Sequence, residues 1–225
     1  MGEHRAEWAA IPYVLPFAVF FVFLALQKYV PLPPEIEFLI RDLLLAGVLF
    51  GFSRHVIQLR AFHRLETVIL GVAVFIVWIG PDLLFPTYRQ HWLFHNVFLG
   101  QLTTPIPEDV IKSPLVLWPR ILQAVVLVPI LEELFWRAWL MRWLISPQFE
   151  KIPLGAYQVG AFWITAVLFA SEHGPYWDVG LIAGIAYNWW MVRTRSLGDC
   201  ILAHSVTNAC LCGYVVATRH WEYWQ

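Results

Sequence analysis

Seven long apolar segments, separated by short polar loops, restrict the fold of this chain more than any other feature. They lie at approximately residues 11–30, 38–53, 66–85, 117–136, 156–173, 178–193 and 197–217. A helix needs about 20 apolar residues to cross the hydrocarbon core of a bilayer, with a working range of about 17–25. Segments 38–53 and 178–193 are slightly short for a full crossing. The pattern predicts an all-α, polytopic transmembrane helix bundle of about seven spanning helices.

Composition supports lipid as the surrounding solvent. Of the 225 residues, 59% are apolar and 14% are charged, whereas soluble domains are near half apolar and a quarter charged. Many of the 13 Trp residues lie where apolar runs meet polar flanks, as in an interfacial aromatic belt. The net charge of −1 provides no basic surface for nucleic acid. We therefore expect membrane lipid, and no nucleic acid, among the partners.

Basic residues indicate the orientation of the helices. With the amino terminus inside, the loops on the inner side hold Arg54, Arg60, Arg64, Arg142, Lys151, Arg193 and Arg195. The loops on the opposite side hold fewer: Arg89, Lys112 and Arg120. This bias follows the positive-inside rule and predicts an outside carboxyl terminus. Residues 91–100 are apolar but too short to cross, so we expect them to lie in the interface or to re-enter. No internal repeat or flexible linker interrupts the chain, which predicts one transmembrane domain over residues 1–225.

Two adjacent carboxylates, Glu132 and Glu133, lie about a dozen residues into the fourth apolar segment, roughly 18 Å deep. Ionisable groups inside a bilayer are costly and mark functional sites by default. Glu133 and Arg137 are i and i+4, which favours a helical ion pair. Glu132 is rotated about 100° from Glu133 and is four residues before Trp136 instead, so it is free to face a cavity as a general base. The alternative is an ion-pair cluster that only fixes helix packing.

Two further apolar segments carry polar side chains. Phe169 and His173 share a helical face at the end of the fifth segment, although a lone His in such a place is usually an ordinary hydrogen-bonded residue. His204 and Asn208 are i, i+4 neighbours in the seventh segment, and two such donors suit an oxyanion site. Their structural alternative is hydrogen bonding between membrane helices. Three polar clusters on three helices predict one shared site.

The predicted depths of these residues in the membrane do not agree fully with one shared site. Counted from the loops, Glu132 and His204 come out at a similar depth, about 18–20 Å from the outer face. His173 comes out only about 6 Å from the same face. We therefore expect the fifth helix to tilt or to have other boundaries.

These three motifs, Glu132-Glu133-x-x-x-Arg137, Phe169-x-x-x-His173 and His204-x-x-x-Asn208, resemble those of a known family. It is the CAAX protease and bacteriocin-processing (CPBP, or Abi) family of intramembrane proteases. The resemblance covers about residues 117–217, the motif-bearing catalytic core. The run Glu-Glu-Leu-Phe-Trp-Arg-Ala-Trp-Leu, with residues 149–155, is also similar to a bacterial CAAX prenyl protease-related subgroup. Ala138 stands where many members have Gly, and a helix tolerates Ala there.

The resemblance implies an intramembrane endopeptidase that hydrolyses a peptide bond of a membrane-associated protein or peptide. Glu132 would activate water with help from His173, and His204 and Asn208 would stabilise the oxyanion. Glu133, Arg137 and Phe169 would support these groups. It further implies a multi-pass protein of the bacterial inner membrane.

The cofactor is left open by the residues and by the resemblance. Glu132, His173 and His204 could form a His₂Glu set for Zn²⁺ or another divalent metal. No His-Glu-x-x-His segment is present to hold a metal tightly, so the same residues could bind only water. The protease would be metal-dependent in the first case and glutamate-dependent in the second.

Two other classes of function fit the same buried residues. A non-catalytic membrane immunity factor or binding protein could keep them for packing. A proton-coupled transporter could use Glu132 as its relay, although transporters often show two related halves and none is visible here. The physiological substrate and the oligomeric state are not determined by the sequence.

Overall fold

The computed structural model describes residues 2–27, 29–94 and 106–224, with side chains from residue 8 onward. Seven long helices account for most of them: α1 (Gly2–Gln27), α2 (Pro34–Val48), α3 (Arg64–Leu84), α4 (Pro114–Trp143), α5 (Val159–Ser171), α6 (Trp177–Thr194) and α7 (Leu197–Thr218). α2 continues as a π-helical segment, Leu49–Ser53. Shorter helices are Glu108–Ile111 and the 3₁₀ turns Tyr88–Gln90, Phe149–Lys151, Gly174–Tyr176 and Trp221–Tyr223.

The prediction of an all-α membrane bundle is confirmed. Each of the seven apolar segments contains a long helix, and the described residues include no strand. Among the described residues, four helices are long and apolar enough to cross a membrane: α1 from Trp8, α3, α4 and α7. α5 and α2 have only 13 and 15 residues, and the 18-residue α6 is less apolar than these four. The predicted number of seven crossings stays a prediction. Residues 91–100, predicted to lie in the interface or to re-enter, fall largely outside the described residues.

Large apolar side chains cover the outside of the bundle. Leu43, Leu65, Ile69, Leu115 and Trp118 are each more than half exposed. In water such a surface would mark an interface or an aggregation site, whereas in a bilayer it faces acyl chains that are equally apolar. The distribution is that of a membrane protein.

Helix ends are fixed by residues close to them in sequence. Pro34 stands in the first turn of α2, where its missing N–H costs no hydrogen bond. α6 ends at Arg195, whose φ of 53° is left-handed, and its N–H bonds to the Met191 carbonyl. Ser196 then accepts a hydrogen bond from the Asp199 N–H at 3.1 Å and starts α7. α6 and α7 are therefore joined by a tight turn.

α7 packs at the centre of the bundle, against α3, α4 and α6. Glycines bring its neighbours close. A Cβ on Gly71 of α3 would lie 2.6 Å from the Ala203 carbonyl oxygen of α7, which no side chain tolerates. Gly184 of α6 packs similarly against Ala166 and Phe169 of α5. The backbones of α3 and α7 approach closely, and so do those of α5 and α6. These contacts place the polar side chains of the four helices near one another.

Candidate active site

A cavity of about 520 Å³ lies between α1, α2, α3, α4, α5, α6 and α7. Its lining includes the four residues predicted to carry the chemistry and the predicted supporting aromatic: Glu132, His173, His204, Asn208 and Phe169. The convergence predicted from the three motifs is therefore present in the geometry. The catalytic roles of these residues stay predictions.

Irregular helix geometry surrounds the two glutamates of α4. Segments Gln123–Leu127 and Leu134–Leu140 are π-helical, and Val128–Glu133 between them is α-helical. Such π segments occur often at functional sites because they change which side chains face a neighbour. Pro129 accounts for the first one, since proline has no N–H and clashes with the carbonyl four residues earlier in a regular helix. The sequence analysis did not predict these segments, although Pro129 was the signal that could have found them.

Asn208 donates a hydrogen bond to the Ala124 carbonyl, which lies in the π-helical segment before Pro129. The Val128 N–H bonds to the Gln123 carbonyl, five residues earlier. In the same register the partner of the Ala124 carbonyl would be Pro129, which has no N–H. The Asn208 Nδ2 donates to the Ala124 carbonyl oxygen at 2.8 Å. One amide hydrogen is thus used for helix packing, and the second is left for the cavity that Asn208 lines.

Glu133 is the buried centre of a charged line. Its Oε1 accepts from Arg137 Nη1 at 3.1 Å and contacts His204 Nδ1 at 2.9 Å. The side chains of Glu133 and Arg137 are fully buried. A buried charge is tolerated when it is paired and hydrogen-bonded. The ion pair expected from i, i+4 spacing is present, and it also holds an imidazole from another helix.

α6 contributes two residues that the sequence analysis did not select. Asn188 Oδ1 accepts from Arg137 Nε at 3.0 Å, and Asn188 Nδ2 donates to the Phe162 carbonyl at 2.8 Å. Tyr187 stacks on the His204 ring with centroids 5.1 Å apart. An Asn in the middle of an apolar segment was a usable signal, because polar residues at membrane depth are rarely unpaired. The Tyr had no such signal.

Phe169 acts through its ring. The Arg137 guanidinium carbon lies 4.4 Å from the Phe169 ring centroid, within the range of a cation–π contact. The Tyr187 ring lies 5.4 Å from the same guanidinium carbon. Arg137 is therefore held by a carboxylate, an amide and two aromatic faces, which fixes the rotamers of Arg137 and Glu133.

The orientation of His204 follows from its neighbours. A carboxylate can only accept, so Nδ1 carries the proton that it gives to Glu133. Nε2 then points toward Glu132, with 4.0 Å between Nε2 and Oε2. That distance is too long for a hydrogen bond. In the neutral ring Nε2 offers a lone pair, and it becomes a donor only in the imidazolium form.

Glu132 has a free acceptor in a buried position. Among the described residues, its Oε2 has no hydrogen-bond partner although the atom is buried. Buried polar atoms almost always have a partner, either protein or water. Because the carboxylate lines the cavity, a water or substrate group there would supply the missing partner.

His173 lies at the end of a helix that is too short to reach the membrane face. The 13 residues of α5 rise about 20 Å, against a hydrocarbon core of about 30 Å. His173 Nδ1 bonds to the Phe169 carbonyl at 2.8 Å, and its ring packs edge-on against Trp78 of α3 at 5.1 Å. Since Trp78 is six residues inside the end of α3, the depth conflict in the sequence is explained by the early end of α5.

The predicted metal ligands do not converge as a ligand set. Within residues 2–27, 29–94 and 106–224, no group of three or more His, Cys, Asp or Glu side chains could hold a metal ion. Two zinc ligands in a tetrahedral site lie about 3.3 Å apart, whereas His204 Nε2 and Glu132 Oε2 are 4.0 Å apart. The geometry of these side chains therefore fits a bound water better than a tetrahedral zinc ion, and chelation tests metal dependence.

The end of the cavity that is lined by Arg41, Arg120 and Trp224 is charged and aromatic. Arg41 donates from Nε to Gln123 Oε1 at 2.7 Å and lies 3.5 Å from Glu37. Arg120 donates to the Trp224 carbonyl, and the guanidinium carbons of Arg41 and Arg120 lie 4.5 and 5.3 Å from the Phe38 ring centroid. The cavity therefore has apolar side chains along its wall, charged side chains at this end and the buried Glu132 in its lining.

Comparison with known proteins gives one family. Residues 114–210 match the model of the family described as type II CAAX prenyl endopeptidase Rce1-like. The matched residues contain all three motifs, from Glu132 to Asn208. The match agrees with the resemblance stated from the motifs, and it does not distinguish the bacterial subgroup. No curated protein sequence and no solved structure matches the chain.

Proposed function

We propose that this chain, whose residues 114–210 match the type II CAAX prenyl endopeptidase family, is an endopeptidase that uses Glu132 to activate water. The match supports a CAAX-type protease of a membrane. The residue roles and the mechanism are the proposal, as is a location in the bacterial inner membrane. The substrate would be a membrane-associated protein or peptide.

In the first step, Glu132 takes a proton from a water that contacts its free Oε2. The water oxygen bonds to the carbonyl carbon of the scissile peptide, and the carbonyl electrons move to oxygen. His204, as the imidazolium, donates from Nε2 to this oxyanion together with the second amide hydrogen of Asn208. The Glu133 carboxylate, which also pairs with Arg137, accepts a hydrogen bond from His204 Nδ1 and thereby stabilises the imidazolium.

In the second step, the oxyanion electrons re-form the carbonyl and the carbon–nitrogen bond breaks. The proton held by Glu132 passes to the leaving nitrogen, so Glu132 returns to its initial state. His173, whose Nδ1 is bonded to the Phe169 carbonyl, presents Nε2 for a hydrogen bond with the attacking water. The products are a carboxylic acid and an amine, which become a carboxylate and an ammonium ion when the acid proton passes to the amine.

One observation carries the proposal. Glu132 is a buried carboxylate with an unpartnered oxygen in a cavity that two histidines and an amide also line. Glu133, by contrast, is not part of the cavity lining, and its Oε1 is bound by Arg137 Nη1 and His204 Nδ1. A carboxylate kept open to a cavity fits a group that binds and deprotonates water.

The test uses wild-type protein and a Glu132→Gln variant, both reconstituted in liposomes. Two probes are used: quenched fluorescent CAAX peptides with a farnesylated cysteine, and unmodified apolar peptides of the same length. We expect the wild type to cleave at least one set and Glu132→Gln to lose about 10³-fold or more in kcat, because the amide cannot accept the proton. Both proteins should show the same unfolding temperature within a few degrees, since the amide keeps the shape of the carboxylate.

Two results would contradict the proposal. Cleavage by Glu132→Gln at the wild-type rate would remove Glu132 from the chemistry. A folded wild type that cleaves neither probe would favour the non-catalytic or transporter alternatives. A parallel assay with 1,10-phenanthroline tests the metal: unchanged wild-type activity fits the water mechanism, and loss restored by added Zn²⁺ would replace it with a metal-dependent one.

A further inference from the structure

An ion-pair network at the edge of the catalytic cavity connects four parts of the chain at one end of the bundle. Arg89 is its centre and is only 6% exposed. The other members are Asp82 at the end of α3, Asp178 in the first turn of α6, Tyr88 and Tyr223. We name these five residues the Arg89 network. Neither the three motifs nor the proposed reaction uses any of them.

Arg89 binds with the geometry that only a guanidinium offers. Its Nε lies 2.9 Å from Asp82 Oδ1, and its Nη1 lies 2.5 Å from Asp178 Oδ1. The same Nη1 donates to the Pro175 carbonyl at 2.7 Å. A planar fork binds these three acceptors from two nitrogens in fixed directions, whereas the three donors of a Lys ammonium share one nitrogen. Arg89 thereby holds the end of α3, the turn Gly174–Tyr176 and the start of α6 together.

The turn held in this way begins immediately after His173. The Tyr176 N–H bonds to the His173 carbonyl at 2.9 Å, and the Arg89 guanidinium carbon lies 4.5 Å from the Tyr176 ring centroid. Gly174 has φ of 48°, a left-handed conformation that lets the chain reverse directly after α5. Because α5 ends at Ser171, the position of His173 depends on what fixes this turn.

The imidazole is also packed against α6. A Cβ on Gly180 would lie 3.1 Å from His173 Cγ and Nδ1, so the α6 backbone contacts the ring directly. Asp178 is two residues before Gly180. Any movement of the first turn of α6 would therefore shift the surface against which His173 packs.

We propose that Arg89 is a positioning residue for His173. By fixing the Gly174–Tyr176 turn and the first turn of α6, it holds the His173 ring toward the cavity. The inference rests on the proposed function, in which His173 assists Glu132. Arg89 itself is not part of the cavity lining.

The test compares Arg89→Gln with wild type on a peptide that the wild type cleaves. We expect kcat to fall about 10- to 100-fold, because a shift of about 1 Å in a catalytic group costs that much. KM should change less than about threefold, since Arg89 is outside the cavity lining. The matched control is Lys112→Gln, which breaks the exposed ion pair with Glu108 on the same side and should leave kcat unchanged.

A double-mutant cycle separates positioning of His173 from general loosening of the fold. In a His173→Ala background, Arg89→Gln should cost less than about twofold further. In an Asn208→Ala background it should cost the same factor as in the wild type. An equal cost in both backgrounds would overturn the inference, because a general structural role does not depend on the presence of His173.

Asp178→Asn gives a second, milder variant if Arg89→Gln does not fold. It keeps the side-chain shape and weakens the charged fork, so we expect a smaller kcat loss with the same dependence on His173. Wild-type kcat in both Arg89→Gln and Asp178→Asn would overturn the inference while leaving the proposed function intact. A wild type without any peptidase activity would instead contradict the proposed function.

Discussion

At the scale of single residues, the site is a line of side chains from α6 to the cavity. Asn188 binds Arg137, Arg137 binds Glu133, Glu133 binds His204, and His204 faces Glu132. Each of these contacts fixes the orientation of the next side chain in the line. The direction in which His204 Nε2 points is therefore set in part by an amide on a helix that carries none of the three motifs.

Asn188→Leu tests this line at the residue where it begins. The substitution keeps the branching at Cγ with a bulkier apolar end, and it removes the side-chain partners of Arg137 Nε and the Phe162 carbonyl, which costs about 1–3 kcal/mol of unfolding free energy. We expect kcat to fall about 10-fold or more as Glu133 and His204 lose their fixed rotamers.

Asn188→Asp provides the matched control, because it keeps the acceptor for Arg137. It should retain more activity than Asn188→Leu when both are compared by peptide cleavage and by thermal unfolding in the same detergent. Equal activity in Asn188→Leu and wild type would show that the line does not orient His204.

At the scale of helices, packing distance decides which side chains can meet. α3 and α7 approach closely at Gly71, and α5 and α6 do so at Gly184. The short α5 ends inside the bundle, and the π segments of α4 rotate the residues on either side of Glu132 and Glu133. These features depend on neighbouring helices and not on local propensity alone.

Gly71→Ala should separate α3 from α7. The added methyl would lie 2.6 Å from the Ala203 carbonyl oxygen and 2.8 Å from the Val206 Cβ. Overpacking of this kind costs about 1–3 kcal/mol. We expect a lower unfolding temperature and reduced cleavage, measured on the purified protein in detergent and in liposomes.

Gly80→Ala is the control in the same helix, since nothing lies within 4 Å of its added Cβ. It should be neutral or slightly stabilising, because Ala favours a helix over Gly by about 1 kcal/mol. If both variants lose the same stability, the close contact at Gly71 is not the cause.

At the scale of the whole molecule, the cavity opens toward one end of the bundle. Its lining includes Pro34, Ile106, Tyr223 and Trp224, which follow or precede the helix ends on that side. The distribution of basic residues predicts that this side is non-cytoplasmic. A substrate would then enter from the outer face or from the outer leaflet.

Single-cysteine labelling checks this orientation in a variant with Cys200, Cys210 and Cys212 replaced by Ala. We expect an impermeant maleimide to label Lys112→Cys in intact cells and Arg54→Cys only after permeabilisation. Both positions are exposed. Labelling of Arg54→Cys alone in intact cells would invert the orientation, and labelling of both would contradict an odd number of crossings between them.

The sequence by itself determined the helical membrane fold and the identity of the polar residues inside it. Hydropathy over about 20 residues selects a spanning helix, and i, i+4 spacing brings Glu133 to Arg137 without help from the rest of the chain. These are local properties, so a single segment contains all the information they need. The three motifs carried the resemblance to the matched family in the same way.

Only the tertiary structure decided how those residues face one another. The contact of Glu133 with His204, the bond from Asn208 to Ala124 and the part played by Asn188 join residues that are distant in sequence. They depend on helix tilt, on the π segments and on where each helix ends. A count of residues from the loops placed His173 too near the surface, because it treats every segment as a full crossing. α5 ends early, and Arg89 binds the turn that follows it. Both features place His173 beside the cavity that Glu132 also lines.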